Sequence, residues 1–114
     1  MSAYPWWLDV ETANTWQSGT GGQAMNVADL QGMVAALQAA GATTVGVYST
    51  TSQWDAITGG SLSTSGSLAG LPGWVTGARN ESGAQANCAA ASFTGGRVAV
   101  SQWLSHPYDS DIAC

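Results

Sequence analysis

The strongest constraint on the fold of this chain is a strand, a helix and a second strand that follow one another within residues 4–48. Tyr4–Glu11 begins with a proline and then alternates, which predicts a strand with one apolar face. Thr44–Tyr48 predicts the second strand. Between them, apolar residues at helical spacing predict a helix with a core-facing stripe, formed by Val27, Leu30, Met33, Val34 and Leu37. Because a helical crossover joins parallel strands, this succession predicts a parallel sheet.

The ends of this helix are predicted from capping residues. Asn26 is a favourable N-cap with Asp29 at the third helical position, and Gly41 suits the position just past the C-terminal end. The polar, glycine-rich residues 12–23 are therefore predicted to form a loop. We expect the tryptophan of this loop, Trp16, to pack against the core, and we expect the same of Trp54.

The second half of the chain continues the pattern of strands and short helices. In chain order, we expect a short helix at Gln53–Ile57, a loop at Gly59–Gly70, a strand at Leu71–Ala78, a loop with a short helix at Asn80–Ser92, a turn at Phe93–Gly96, a strand at Arg97–Leu104 and an acidic tail at Ser105–Cys114. Four strands with crossovers indicate one α/β domain over residues 1–114. Right-handed crossovers bring the C-terminal ends of the strands, and the loops that follow them, to the same edge.

Charge excludes several classes of function. Charged residues make up 8% of the chain, the net charge is −5, and Arg79 and Arg97 are the two basic residues. Binding to nucleic-acid phosphates or to an anionic membrane is therefore not expected. His106 has no Cys or His at ligand spacing, so we expect neither a metal site nor a cofactor. Met1 is followed by neither a basic stretch nor an apolar run, so no signal peptide is expected in this chain.

The two cysteines, Cys88 and Cys114, predict a disulfide that pins the C-terminal segment to the preceding one. Closing a loop of this length stabilises a fold by roughly 3–4 kcal/mol in the chain-entropy model. Such a bridge implies an oxidising compartment. The alternative is two buried free thiols in a cytosolic protein.

The segment Asp9-Val10-Glu11 is the clearest candidate for chemistry. On a strand, residues i and i+2 project the same way with Cα atoms roughly 6.6 Å apart, so these carboxyls compete for a proton. Glycoside hydrolysis needs such a pair, one acid and one carboxylate. Trp7 lies on the same face and is a candidate sugar contact, since six tryptophans in so short a chain suit stacking on sugars. The alternative is an exposed strand end that is acidic by chance.

Several short segments, in order, resemble a known family. These are Trp7-Leu8-Asp9-Val10-Glu11, Val45-Gly46-Val47-Tyr48-Ser49, Leu71-Pro72-Gly73-Trp74-Val75, Val100-Ser101-Gln102-Trp103 and Asp109-Ser110-Asp111. They resemble the second half of the barrel of the secreted family 25 glycoside hydrolases, the lysozyme-like muramidases.

This resemblance implies a half (β/α) barrel with about four mostly parallel strands. Glu11 would be the general acid, and Asp9 would stabilise the charged intermediate together with the N-acetyl group of the substrate. Asp111 matches the last active-site aspartate of the family. Sugar-contacting positions are matched by Tyr48, Trp74 and Gln102. The first-strand aspartate of the family has no counterpart in this chain.

The expected function is hydrolysis of peptidoglycan-like cell-wall glycan by a secreted bacterial protein. The alternative is a half barrel, from a metagenome or from engineering, that folds or binds glycan without turnover. Half a barrel leaves two strand edges and one core face open, so we expect a homodimer or a higher assembly.

Overall fold

In the part of the chain that the structure describes, five strands lie side by side in chain order in one curled sheet, which forms a half barrel with three helices. The computed structural model describes residues 4–60 and 66–114, so positions 61–65 of the predicted Gly59–Gly70 loop lie outside the described residues. The elements are β1 (Trp6–Asp9), α1 (Gly19–Ala39), β2 (Val45–Ser49), α2 (Thr51–Thr58), β3 (Gly73–Ala78), α3 (Glu81–Cys88), β4 (Val98–Ser105) and β5 (Tyr108–Ala113). Strands β1 to β4 are parallel, and β5 is antiparallel to β4. The predicted α/β half barrel is confirmed, with one strand more than the four expected.

The extra strand, β5, corrects the prediction of an acidic tail at residues 105–114. After a turn at His106 and Pro107 the chain returns along β4, pairing Asp111 with Gln102 and Ile112 with Ser101. The segment alternates acidic residues with Ser110 and Ile112, which is the period-two pattern of a strand. Its high density of carboxylates concealed that pattern in the sequence.

Helix α1 begins at Gly19, so the prediction of Asn26 as its N-cap is wrong. Asn26 lies inside the helix, where it is 3% exposed. Its side-chain oxygen accepts a hydrogen bond from the backbone N–H of Gln17 at 3.0 Å, and its side-chain nitrogen donates to the carbonyls of Gln17 and Ile57, each at 2.9 Å. The amide that would suit a cap instead satisfies buried backbone groups of the loop before α1 and of α2.

The hydrophobic core lies between the helices and one face of the sheet, here called the covered face. Along β1 and β2 the residues packed in this core alternate with residues of the opposite, open face. The predicted stripe of α1 is largely confirmed, since Val27, Leu30 and Val34 are buried, whereas Met33 is 40% exposed. Trp54 is fully buried with its ring 5.5 Å from that of Phe93, in agreement with its predicted packing role.

The predicted disulfide between Cys88 and Cys114 is present, with Cα atoms 5.4 Å apart. It joins the last residue of α3 to the residue after β5. The backbone N–H of Cys114 also donates to the carbonyl of Ala99 on β4, at 2.8 Å. Strand β5 is therefore held to the domain at its far end as well as by its hairpin. Across the described residues, no helix combines the length and the apolar character that a membrane span requires.

Candidate active site

A groove on the open face brings together six of the seven residues that were predicted to be catalytic or to contact sugar. Its volume is about 330 Å³, and its lining consists of Trp7, Asp9, Glu11, Tyr48, Trp74 and Gln102. Asp9 pairs with Tyr48 across β1 and β2, and Tyr48 pairs with Trp74 across β2 and β3. These three residues thus form a row across the sheet, and Glu11 follows Asp9 just past the end of β1.

The carboxyl groups of Asp9 and Glu11 both line the groove. Hydrogen bonding with the side chain of Asp9 is the main cause that raises the pKa of Glu11 above its ordinary value, and partial burial and the negative charge of Asp9 raise this pKa further. Glu11 therefore keeps its proton to higher pH than an isolated glutamate. The arrangement presents a carboxylic acid next to a carboxylate acceptor.

The backbone that carries Glu11 is held by side chains from two other parts of the chain. The hydroxyl of Ser49, a fully buried residue, donates to the carbonyl of Val10 at 2.6 Å. The indole N–H of Trp16 donates to the carbonyl of Glu11 at 2.9 Å. Trp16 also packs against the core, as predicted. Ser49 was not singled out from the sequence, although it ends the segment that resembles the family's second motif.

Three aromatic side chains form one wall of the groove. The ring of Trp74 makes edge-to-face contacts with Trp7, at a centroid distance of 5.7 Å, and with Tyr48, at 5.4 Å. Edge-to-face packing is a favourable arrangement for aromatic pairs. The ring of Trp7 lies over Gly46, where a Cβ atom would come within 2.3 Å of Cζ3. Glycine at this position of β2 is therefore a requirement of the aromatic wall.

Asp111 is connected to the groove indirectly, through a hydrogen bond from Trp74. The indole N–H of Trp74 donates to Oδ1 of Asp111 at 2.8 Å, and Asp111 is not among the residues that line the groove. The sequence located this aspartate just beyond the last strand. The structure locates it within β5, opposite Gln102, because the segment after β4 folds back.

Gln102, on β4, accepts two hydrogen bonds from side chains of β2 and β3. Its side-chain oxygen accepts from the hydroxyl of Tyr48 at 2.8 Å and from that of Thr76 at 2.6 Å. The pKa of Tyr48 is raised, mainly by burial and also by the charges of Glu11, Asp109 and Asp9, while the nearby hydroxyl of Thr76 acts against this rise. Thr76 was missed by sequence reasoning. Its position two residues after Trp74 on β3 was the signal, because such residues share a face.

The chemistry available in this groove is proton donation beside a stabilising carboxylate. A carboxyl such as Glu11 can donate a proton to an acceptor oxygen, and a carboxylate such as Asp9 can stabilise a positive charge that develops nearby. Within residues 4–60 and 66–114, no group of three or more His, Cys, Asp or Glu side chains is arranged to hold a metal ion.

Known proteins resemble this chain over part of its length. The family model described as "Lysozyme-like protein 1" matches residues 2–90, which include Asp9, Glu11, Tyr48 and Trp74. "Probable GH family 25 lysozyme 2" of Dictyostelium discoideum is 46% identical over 54 residues. The match covers 47% of this chain and 23% of that protein, so it spans about a quarter of the length of the relative. No solved structure matches the chain significantly. Because the family model covers more than half of the chain, the chain belongs to the lysozyme-like protein 1 family, which is a glycoside hydrolase family of GH25-like lysozymes.

Proposed function

We propose that this chain carries the acid–carboxylate pair of a muramidase that hydrolyses peptidoglycan-type cell-wall glycan. The observation that carries the proposal is that Asp9 and Glu11 line one groove together with three aromatic rings, where the neighbouring Asp9 raises the pKa of Glu11. Aromatic faces suit the apolar faces of sugars, and a carboxylic acid that stays protonated suits a glycosidic oxygen. The name of the Dictyostelium relative, a probable lysozyme, supports the same reaction.

In the proposed reaction, Glu11 gives its proton to the glycosidic oxygen as the bond from that oxygen to the anomeric carbon breaks. Asp9 stabilises the resulting positive charge, aided by the N-acetyl group of the substrate. Water then adds its oxygen to the anomeric carbon and returns a proton to Glu11. Sugar contacts are assigned to the remaining lining residues, Trp7, Tyr48, Trp74 and Gln102. Asp111 serves the site by holding the indole of Trp74.

Clearance of a turbid suspension of bacterial cell walls tests this proposal. We expect wild-type protein to clear the suspension and Glu11→Gln to clear it about 10²–10⁴-fold more slowly, which is the usual contribution of a general acid. Glu81→Gln is the matched control, because Glu81 is exposed in the first turn of α3 and is absent from the groove lining. Equal clearance by wild type and Glu11→Gln would remove Glu11 from the mechanism.

Glycan binding without turnover is the second candidate function. It is favoured by two features of the groove: three aromatic rings form one wall, and most of the lining residues are half-exposed. Sedimentation with insoluble cell walls separates the two candidates. A binder would be retained on the walls equally as wild type and as Glu11→Gln, and neither protein would clear the suspension.

Self-association is proposed as the way in which the half barrel is completed. Strand β1 is one edge of the sheet, and beside it lies a cavity of about 350 Å³ whose lining includes Leu8, Leu30 and Met33. A second copy related by a two-fold axis could cover this edge and the adjacent apolar surface. Light scattering should give the mass of at least two chains. Met33→Glu should lower that mass and Ala35→Glu, on another face of α1, should not; a single-chain mass for wild type would contradict the proposal.

A secreted location is proposed from the disulfide between Cys88 and Cys114, since such bonds persist in oxidising compartments. Intact-mass analysis of the natural protein after thiol alkylation tests it. Recovery from the culture medium of a bacterial host, with neither cysteine alkylated, is the expected result. Recovery inside cells with both cysteines alkylated would contradict it.

A further inference from the structure

The side-chain amide of Gln102 has a defined orientation in the groove. Its two hydrogen bonds to hydroxyl groups, at 2.8 Å from Tyr48 and 2.6 Å from Thr76, have the lengths of O–H···O bonds. Such bonds centre on about 2.7–2.8 Å, whereas N–H···O bonds centre on about 2.9–3.0 Å. Short contacts to both hydroxyls therefore identify the oxygen of the amide, and not its nitrogen, as the atom that faces them.

Both partners can act as donors to this oxygen. The phenol of Tyr48 keeps its proton at neutral pH, because burial and the nearby carboxylates raise its pKa. The hydroxyl of Thr76 carries a proton at every accessible pH. Since the oxygen and nitrogen of an amide point in different directions from their shared carbon, the two N–H groups of Gln102 point away from both hydroxyls.

Gln102 is also one of the residues that line the groove. With its oxygen engaged by Tyr48 and Thr76, the part of the amide left for a ligand is the nitrogen, which has two N–H donors and no acceptor. The groove thus combines the carboxyl groups of Asp9, at the end of β1, and Glu11, just past it, with an amide donor on β4.

We propose that Thr76 is a positioning residue that, together with Tyr48, holds the amide of Gln102 so that its N–H groups donate to an acceptor oxygen of a bound sugar. This inference rests on the proposed glycan-binding function. Tyr48 alone leaves the amide free to rotate by half a turn, because a phenol can also accept a hydrogen bond from the amide nitrogen. The second hydroxyl favours one orientation because a flipped amide would have to place its nitrogen at 2.6 Å and 2.8 Å from the two hydroxyls, which is shorter than N–H···O bonds usually are.

Binding of tri-N-acetylchitotriose, followed by the fluorescence of the groove tryptophans, tests the recognition part of the proposal. All variants are made in the Glu11→Gln background, so that hydrolysis does not affect the measurement. Thr76→Val, which replaces the hydroxyl with a methyl group, should raise the Kd about tenfold, the effect of one lost hydrogen bond. Thr76→Ser keeps the hydroxyl and should stay within about twofold of its parent.

The contrast between valine and serine separates positioning from a packing role, because serine is the smaller residue and retains only the hydroxyl. Equal binding by Thr76→Val and its parent would overturn the proposal, as would equal weakening by both substitutions. Absence of binding by the parent would overturn the recognition part. Because these measurements do not depend on turnover, failure of wild type to clear cell walls would overturn the proposed hydrolysis and leave this inference standing.

The side-chain N–H signals of Gln102 in an ¹⁵N-correlated NMR spectrum test the orientation without any ligand. Their assignment follows from their loss in Gln102→Glu. Thr76→Val should shift or broaden this pair of signals, whereas Thr76→Ser should leave them close to the wild-type positions. Unchanged signals in Thr76→Val, in a protein whose backbone signals show an intact fold, would overturn the positioning role.

Discussion

The two faces of the sheet use the same strands for different purposes. On the covered face, Val10 and Val47 are completely buried and pack against the helices. On the open face, Asp9 and Tyr48, which precede or follow them by one residue, line a groove. The difference arises because successive side chains of a strand point to opposite sides. Substitutions on the covered face should therefore change stability, and those on the open face should change binding and turnover.

The largest expected effect on stability comes from a substitution in the core that packs against the covered face. Leu30 is 1% exposed, so Leu30→Ala should lower the free energy of unfolding by about 2–5 kcal/mol through lost burial and a new cavity. Leu104→Ala is the matched control, because Leu104 is 55% exposed and should lose much less. Urea unfolding measures the free energy of unfolding of both variants. Similar losses of this free energy in the two variants would contradict the expected difference between buried and exposed positions.

A substitution at Gly46 should change both stability and glycan binding. A Cβ atom there would lie 2.3 Å from Cζ3 of Trp7 and 2.7 Å from the carbonyl oxygen of Pro72, so a ring and a backbone segment must move. Gly46→Ala should cost about 1–3 kcal/mol of stability, as overpacking does, and should weaken glycan binding by displacing Trp7. Thermal unfolding and chitotriose titration are the measurements.

Gly32→Ala is the control for this variant, since a Cβ at this position of α1 meets nothing within 4 Å. It should raise stability by about 0.4–1 kcal/mol, because alanine restricts the unfolded chain and favours helix. Stability of Gly46→Ala at or above that of wild type would contradict the tight contact between Trp7 and β2.

The smallest expected change is confined to the open face and concerns pH. In Asp9→Asn the carboxylate that raises the pKa of Glu11 is gone, so the pKa of Glu11 should fall towards its ordinary value. The acid form of Glu11 then disappears at lower pH, and the alkaline limb of the pH profile of kcat/KM should move to lower pH. Asp55→Asn, an exposed substitution on α2, should leave that limb in place.

The raised pKa of Glu11 also predicts the direction in which the stability of the fold changes with pH. The folded state holds the Glu11 proton more tightly than the unfolded chain, so this contribution is complete below the unfolded pKa and is lost as the pH rises through the folded pKa. Glu11→Gln should remove this loss, which unfolding measurements at several pH values can detect. An unchanged alkaline limb in Asp9→Asn would contradict the coupling of the two carboxyls.

Much of the architecture was predictable because it depends on local periodicity. The parallel strands, the α1 stripe and the short helix α2 follow from apolar spacing along the chain. The cap of α2 was not predicted: the hydroxyl of Thr50 accepts from the N–H of Gln53 at 3.2 Å. The start of α1 was not predictable. Asn26 has the composition of a cap, but tertiary contacts with Gln17 and Ile57 use its amide inside the helix.

The candidate site was predictable where it lies within one strand, and less so where it depends on several. Asp9 is the last residue of β1 and Glu11 follows it by two residues, so their proximity follows from their spacing along the chain. Thr76 and Gln102 are separated by 26 residues along the chain, and their contact at 2.6 Å exists because β3 and β4 are neighbours.

By itself the sequence determined that Asp9 and Glu11 share a face, that the fold is α/β, and that Cys88 and Cys114 were candidates for a disulfide. These conclusions depend on spacing along the chain and on residue chemistry. Only the tertiary structure decided that residues 108–113 form β5 and that Asp111 holds the indole of Trp74 from there. The reason is physical: side-chain periodicity is local, whereas the pairing of β5 with β4 and the contacts across strands depend on the whole chain.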